Sequence, residues 1–139
     1  MTYHYETLMQ VRDYECDLQG IVNNANYLHY CEHTRHLFLK QCGITFAEMH
    51  QQGEDAVVAR MQLQYKTPLR SDDEFRSCLR IKRDGLKYIF YQDLWCVEKV
   101  EGEYVNKKLA MRAVVEVVCV VNGQLSESKL CDEAFKEYL

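Results

Sequence analysis

The chain has 139 residues, a length that fits one domain able to bury a hydrophobic core. Hydrophobic residues make up 47% of it and aromatic residues 12%, which excludes an intrinsically disordered protein. The net charge of −4 gives no reason to expect nucleic acid as a partner, and no apolar run has the length of a membrane span.

The predicted elements begin with a strand over residues 4–12, where side chains alternate weakly. Asp13, Glu15 and Asp17 then fall at every second position. On one face of a continuing strand these acids would repel one another, so we expect regular structure to end there. Residues 26–41 contain neither Pro nor Gly, which predicts a long helix that stops at Gly43. A short helical turn is expected over 46–52.

The long helix has one broad apolar side and one narrow polar stripe. The apolar side comprises Tyr27, Tyr30, Cys31, Thr34, Leu37, Phe38 and Cys42. The stripe comprises His29, His33, His36 and Lys40. A helix with so wide an apolar side is expected to be largely enclosed, with the polar stripe left in solvent.

Four strand patterns follow, over residues 57–65, 75–82, 87–97 and 109–121, and a last helix is expected over 128–139. Turn signals at 83–85 and 101–102 imply short connections, hence an antiparallel sheet and an α+β fold class. Two strands are apolar on both faces, yet only one long helix is available to cover the sheet. This predicts a partner subunit, as a homodimer or homotetramer. No linker or repeat divides the chain, so one domain is expected over 1–139.

The start of the long helix is the candidate site. Asp17 lies a few residues before it, and the first-turn amides near Asn23, Asn24 and Ala25 are expected to be free donors. Such donors attract developing negative charge, and a carboxylate beside them is a minimal apparatus for cleaving an ester or thioester. An Asp in this place is also common as a cap or turn residue. The residues alone leave both interpretations open.

Residues 17–35 read D-x-x-G-I-V-N-N-A-N-Y-L-x-Y-x-E-x-x-R, which resembles the signature of the hot-dog-fold acyl-CoA thioesterases, the 4-hydroxybenzoyl-CoA thioesterase-like family. Residues 64–73, Q-Y-K-T-P-L-R-S-D-D, resemble the family's second landmark. The resemblance implies a curved antiparallel sheet wrapped around one long helix, and hydrolysis of acyl-CoA without a metal or another cofactor. Ile21 stands where many relatives have His, which leaves the substrate subclass open.

The resemblance also implies roles for individual residues. Asp17 is expected to be catalytic, as nucleophile or as general base, and the backbone near Asn24 to polarise the thioester carbonyl. The substrate contacts expected at this end are Gly20, Val22, Asn23, Asn24, Ala25 and Tyr27. Basic residues between 66 and 87 either form an ordinary charged sheet face or hold the phosphates of coenzyme A. The candidates for the phosphate role are Lys66, Arg70, Arg83 and Lys87.

Other constellations carry weaker signals. Residues 29–33 spell H-x-x-E-H, a zinc motif, but they lie on the polar stripe without a clear third ligand, so no metal site is expected. Cys16 lies between two acids, which disfavours a reactive thiolate. Glu32 is a second candidate acid, since some hot-dog thioesterases place theirs on the helix, but we expect it to pair with Arg35 or His36.

Three rival functions are considered: a non-catalytic acyl-CoA-binding module, a thioesterase acting on acyl carrier protein, and a hot-dog hydratase. A hydratase needs a His near the helix start, and Ile21 and Asn23 supply none. The seven cysteines are scattered without a C-x-x-C pair, as reduced thiols are in the cytosol. The N-terminal residues lack the basic and apolar regions of a secretory signal. We therefore expect a cytoplasmic protein.

Overall fold

The computed structural model describes residues 2–139. Its strands are β1 (Tyr5–Gln10), β2 (Glu54–Tyr65), β3 (Glu74–Asp84), β4 (Lys87–Val100), β5 (Glu103–Val121) and β6 (Gln124–Leu125). Its helices are α1 (Asn24–Gln41), α2 (Phe46–Gln51) and α3 (Lys129–Phe135). A single 3-10 turn at Asp13–Glu15 follows β1, as the run of alternating acids predicted.

The strands form one antiparallel sheet in the order β1-β3-β4-β5-β2, and the short β6 pairs with β5. The sheet is curled, and α1 packs on its inner face. Thr34 and Ser77 share a hydrogen bond of 2.6 Å between α1 and β3. The Gln92 side chain on β4 donates to the carbonyl of Cys31 at 3.0 Å. The predicted α+β architecture, one long helix against a curved antiparallel sheet, is confirmed.

The predicted orientation of α1 is also confirmed. His29, His33, His36 and Lys40 are exposed, whereas Tyr27, Tyr30, Cys31, Thr34 and Phe38 are buried. The aromatic rings of this buried side hold the helix on the sheet: the ring centroids of Tyr30 and Phe75 are 4.8 Å apart, and Phe38 stacks on Phe135 of α3 at 5.6 Å. Burial of large aromatic side chains is the main source of stability in such a layer. One charged residue, Arg35, is buried among them.

Strand β2 differs from its predicted alternation because it contains a bulge. The register with β5 shifts between Val58 and Arg60. Beyond the bulge Met61 and Leu63 oppose Val115 and Ala113, which are buried on the helix side. Before the bulge, Ala56 and Val58 lie on the helix side of the sheet. An inserted residue exchanges the two faces of a strand. The alternation of Val57, Ala59, Met61 and Leu63 with Arg60 and Gln62 predicts one face for Val57 and Met61. That prediction is wrong, because the bulge places these two residues on opposite faces.

Element ends differ elsewhere by a few residues. Strand β5 begins six residues earlier than predicted, because the polar segment from Glu103 pairs with the end of β4 as a two-stranded extension. Helix α3 ends at Phe135 rather than at the last residue. Tyr138, beyond it, packs its ring against Phe38 at 5.2 Å. No helix within residues 2–139 is long and apolar enough to cross a membrane.

Candidate active site

Glu15 fixes the start of α1. This buried side chain accepts hydrogen bonds from the Tyr30 hydroxyl and the Arg12 amide, both at 2.8 Å. Its backbone carbonyl accepts from the Asn23 amide at 2.9 Å and the Asn26 side chain at 2.8 Å. Because Glu15 is only two residues before Asp17, its carboxylate is an alternative to Asp17 as the catalytic acid. The structure places it in a structural role instead, because its carboxylate is enclosed and already fully used.

The two sequence landmarks meet in space beside the helix start. The Val22 amide donates to the Leu69 carbonyl at 2.8 Å, and Ile21 forms a β-bridge with Arg70. The Leu69 amide donates to the buried Tyr27 hydroxyl at 3.2 Å. The residues between Asp17 and α1 are therefore clamped between the helix and the 66–73 segment. Such clamping holds a loop in one conformation without placing it in a regular element.

Asp17 lies at the first position of a tight turn. Its carbonyl accepts from the Gly20 amide at 3.0 Å, and Gly20 has φ +79°, the left-handed conformation that glycine adopts without strain. One carboxylate oxygen of Asp17 accepts from the Gln19 amide at 2.8 Å. The side chain is exposed, and the other carboxylate oxygen accepts no hydrogen bond from residues 2–139. Asp17 is thus a turn residue and a free carboxylate at once.

Only one of the three expected oxyanion donors is free. The Asn23 amide is used by Glu15, and the Ala25 amide donates to the Asn23 side chain at 2.9 Å in an N-cap. The expectation that Asn23 and Ala25 supply free amides is therefore wrong. The Asn24 amide donates to no other group in the described part of the chain. It remains as an unpaired donor at the positive end of an 18-residue helix.

Asp17 and Asn24 line the same cleft, which has a volume of about 290 Å³. We call it the Asp17 cleft. Its other lining residues are Ile21, Val22, Tyr27, Tyr65, Lys66, Thr67 and Pro68. Tyr27 and Tyr65 form an edge-to-face pair with centroids 5.2 Å apart, so one wall is aromatic. Asp17, with its free carboxylate oxygen, and Asn24, with its unpaired amide, therefore line one mostly apolar space.

The basic residues proposed for phosphate binding separate into two groups. Lys66 lines the Asp17 cleft and Arg70 bridges to Ile21 beside it. Arg83 and Lys87 lie at the opposite end of β3, roughly 30 Å away at about 3.3 Å per residue over its 11 residues. Arg83 pairs there with Asp132 and Glu127, and Lys87 with Glu116 at 2.7 Å. The structure does not bring the four cations together.

The structure gives no support to the metal motif or to Cys16 as a nucleophile, and it places Glu32 away from the Asp17 cleft. His29 and His33 are exposed on the outer stripe of α1, and residues 2–139 contain no cluster of three or more His, Cys, Asp or Glu side chains that could hold a metal. The pKa of Cys16 is raised by burial and by the neighbouring Asp17 charge, which disfavours its thiolate. Glu32 lies 3.9 Å from His36 rather than pairing with Arg35, and it lines a second cleft.

Sequence reasoning missed the burial of Arg35. Its guanidinium donates to the side-chain oxygen of Gln92 at 2.9 Å, and Gln92 is itself fully buried on β4. Its place in the helix could have indicated this burial. Arg35 lies four residues after Cys31 and three before Phe38, so it falls next to both on the apolar side of the helix. Its partner Gln92 is 57 residues away and has no local sequence signal.

The chain matches the family model of the thioesterase-like superfamily over residues 11–139 and belongs to that superfamily. A chloroplast acyl-acyl carrier protein thioesterase of Arabidopsis thaliana is 38% identical over 91 residues, which cover 66% of this chain. The matched part is 48% of that relative, so the chain spans about half its length.

Two solved structures share the fold. A hypothetical protein of Aquifex aeolicus superimposes with a TM-score of 0.81 and 26% identity, covering 94% of this chain and 98% of the other. A 1,4-dihydroxy-2-naphthoyl-CoA thioesterase of Synechocystis superimposes with a TM-score of 0.84 and 14% identity, covering 96% of both chains. The hot-dog fold expected from the sequence resemblance is thereby confirmed.

Proposed function

We propose that this protein hydrolyses acyl thioesters, with Asp17 as the catalytic carboxylate and the Asn24 amide as the oxyanion donor. The observation that carries the proposal is that Asp17, which has a free carboxylate oxygen, and Asn24, which has an unpaired helix-terminal amide, line one cleft. Membership of the thioesterase-like superfamily supports it, as do the relatives named above, which act on acyl carrier protein and CoA thioesters.

The geometry supports separate roles for the two groups. The thioester carbonyl lies with its oxygen toward the Asn24 amide, which stabilises the negative charge that develops there. In one route the Asp17 carboxylate attacks the carbonyl carbon, the thiolate of the carrier leaves, and water hydrolyses the resulting mixed anhydride to the free acid and the Asp17 carboxylate. In the other route Asp17 takes a proton from a water that attacks the carbonyl carbon, and the carrier leaves as the thiol after receiving that proton. Both routes use an ionised carboxylate. The aromatic wall of Tyr27 and Tyr65 provides apolar surface for the acyl group.

The carrier is proposed to contact Lys66 and Arg70. Lys66 lines the cleft, the backbone of Arg70 bridges to Ile21 beside it, and neither residue takes part in an ion pair formed by residues 2–139. Phosphate groups of CoA or of the phosphopantetheine arm on acyl carrier protein have the chemistry to pair with them. We do not extend this role to Arg83 and Lys87, because acids within the chain already neutralise them.

We further propose that the active unit is at least a homodimer built on β2. This strand forms one edge of the sheet, and Val57 and Val58 near its start are exposed. An uncovered apolar edge strand favours pairing with another copy. In an antiparallel pair the end of β2 at Tyr65, beside the Asp17 cleft, lies next to the start of the partner's β2. Sedimentation that finds an active monomer at micromolar concentration would contradict this.

The direct test is release of free thiol from a panel of acyl-CoA and acyl carrier protein thioesters. We expect turnover on at least one carrier, with the preferred carrier and acyl length identified by kcat/KM. A non-catalytic binding module is the rival function. It would show acyl-CoA binding by calorimetry without thiol release from any member of either panel, and that result would withdraw the proposal.

A further inference from the structure

A second cleft lies beside the middle of α1 and has a volume of about 270 Å³. We call it the Arg35 cleft. It is bounded by α1, the start of α2 and the inner sides of β2, β4 and β5, and Asn24 and Asp17 are not part of it. Its lining includes Arg35, Glu32, His36, Phe46, Asp55 and Phe90.

Arg35 is the unusual member of this lining. Its side chain is only 6% exposed, yet none of the ion pairs formed by residues 2–139 includes it. One terminal nitrogen donates to Gln92, and the remaining guanidinium nitrogens donate to no group in this part of the chain. Burial lowers the pKa of Arg35, but a guanidinium stays charged at neutral pH. An enclosed charge without a counter-ion is costly, which makes the cleft a site for an anion.

The position of Arg35 is fixed by hydrogen bonds through Gln92. Gln92 is fully buried and uses its amide nitrogen to donate to the Cys31 carbonyl at 3.0 Å. This bond orients the Gln92 oxygen toward Arg35, which it holds at 2.9 Å. A buried amide fixed at both ends therefore presents the guanidinium to the cleft in one orientation.

The acids at the rim of the cleft form no ion pair with Arg35. Burial lowers the pKa of Arg35, and the nearby charge of Glu32 partly offsets that lowering. Glu32 lies 3.9 Å from His36, and Asp55 lies 2.7 Å from His50. Both carboxylates are partly exposed to solvent. Their presence disfavours a doubly charged phosphate by repulsion, whereas a single carboxylate matches the planar guanidinium and carries less charge. Phe46 and Phe90 offer apolar contact to a hydrocarbon chain behind such a carboxylate.

We propose that the Arg35 cleft binds a carboxylate, and that it makes the protein prefer acyl groups that end in one. The carboxylate site is argued from the cleft alone. The preference rests on the thioesterase activity proposed above. Acyl groups are expected to place the thioester carbonyl at the Asp17 cleft and the distal carboxylate at Arg35, of the same chain or of a paired copy.

The test has a binding arm that does not need catalysis. Calorimetry compares octanoate with octanamide, which differ in charge but little in shape, on the wild type, Arg35→Met and Arg35→Lys. We expect octanoate to bind Arg35→Met at least about tenfold more weakly than the wild type. Arg35→Lys, which keeps the charge, should recover part of that affinity, and octanamide should bind all three alike. Arg35→Met removes a buried charge but also leaves the buried Gln92 oxygen without its donor, so thermal unfolding of each variant is measured and affinities are compared only between folded proteins.

The turnover arm compares acyl-CoAs of increasing length that end in a carboxylate, from succinyl-CoA to sebacoyl-CoA, with neutral acyl-CoAs of matched length. We expect kcat/KM for the best carboxylate substrate to fall at least about tenfold in Arg35→Met, while the matched neutral substrate changes little. If the preference for carboxylate substrates persists in Arg35→Met, the proposed role of Arg35 in substrate selectivity is overturned. The proposed carboxylate site is then judged by the binding measurements alone.

The remaining outcomes are distinguishable. Arg35-dependent octanoate binding without hydrolysis of any acyl-CoA would support the carboxylate site while the proposed function fails. Unchanged octanoate affinity in Arg35→Met, or equal loss for octanoate and octanamide, would overturn the site. A large rise in the dimer dissociation constant of Arg35→Met would show that Arg35 pairs with an acidic side chain of a second copy. That result would also overturn the proposed ligand site.

Discussion

The two ends of β3 carry similar charged residues and use them in opposite ways. At the far end, Asp132 of α3 accepts hydrogen bonds from both Arg83 and Tyr88, and Lys87 pairs with Glu116 at 2.7 Å. The bond from Arg83 to Asp132 raises the pKa of Arg83, and burial raises the pKa of Tyr88. The near end is the end of β3 beside the Asp17 cleft. There, one carboxylate oxygen of Asp17 and the backbone amide of Asn24 have no hydrogen-bond partner in the described chain.

This difference separates structural charge from charge available for a ligand. Pairs closed within the chain stabilise it and leave nothing for a substrate, whereas a fixed group without a partner is able to bind one. By this criterion the chemistry belongs at the near end.

The first prediction is that Asp17→Asn lowers kcat about 10²- to 10⁴-fold, the usual contribution of a positioned catalytic acid or base. The Asn side chain can still accept the Gln19 amide, so the turn should persist. Turnover is measured by thiol release, and folding by thermal unfolding. Asp84→Asn, an exposed acid at the far end of β3, is the matched control. More than about a tenth of the wild-type rate in Asp17→Asn would remove Asp17 from its role.

The second prediction concerns the Asn24 amide. Asn24→Pro removes this N–H at the first position of a helix, where proline is well tolerated, and Asn23 already has the extended conformation that precedes proline (φ −61°, ψ 137°). We expect kcat to fall about 10²- to 10³-fold, as for loss of an oxyanion donor. Asn24→Ala keeps the amide and should retain most activity. Equal activity in the two variants would exclude the amide from catalysis.

The third prediction tests the far end. Asp132→Ala leaves Arg83 and Tyr88 without their shared acceptor, so the free energy of unfolding should fall by about 1–3 kcal/mol. Chemical denaturation measures it. The neighbouring Glu133→Ala removes only an exposed pair with Lys136, and should lower the free energy of unfolding much less. Neither substitution should change kcat. A specific loss of kcat in folded Asp132→Ala would contradict the separation of the two ends.

The fourth prediction is a smaller effect on substrate affinity. Replacing Lys66 and Arg70 together with Ala should raise KM for acyl-CoA up to about 30-fold, since each of the two exposed contacts contributes at most about 1 kcal/mol. kcat should change little, because the phosphates are held equally in ground and transition states. The defect should shrink with acyl-pantetheine, which lacks the nucleotide. The control pair, Arg83→Ala with Lys87→Ala, should leave KM unchanged; a similar rise there would contradict the assignment.

The fifth prediction is an absence of effect. Incubation with a strong chelator followed by desalting should leave kcat unchanged, because the proposed chemistry uses only a carboxylate and an amide. Loss of activity that zinc restores would revive the H-x-x-E-H motif at His29 and His33 as a metal site.

Much of the fold was predictable because its signals are local. The absence of Pro and Gly over 26–41 and the apolar side of α1 identified the helix, and alternation identified the main strands. The signature at Asp17 identified the family, and Asp17 and Asn24 were both named from it, although their roles stay predictions. The bulge in β2 was not predictable, since nothing in V-V-A-R marks which residue is unpaired.

The family, the α+β class and the stretch that carries the candidate chemistry follow from the amino-acid sequence, because periodicity and motif depend on neighbours along the chain. Which charged groups are free depends instead on tertiary contacts. Glu15 and Asp17 are two residues apart, yet one is enclosed by Tyr30 and Arg12 and the other faces a cleft. Arg35 is buried because Gln92 reaches it from a strand far along the chain. Burial and hydrogen-bond partners are set by contacts between distant segments, and these fix whether a charged side chain stabilises the fold or remains available to a ligand.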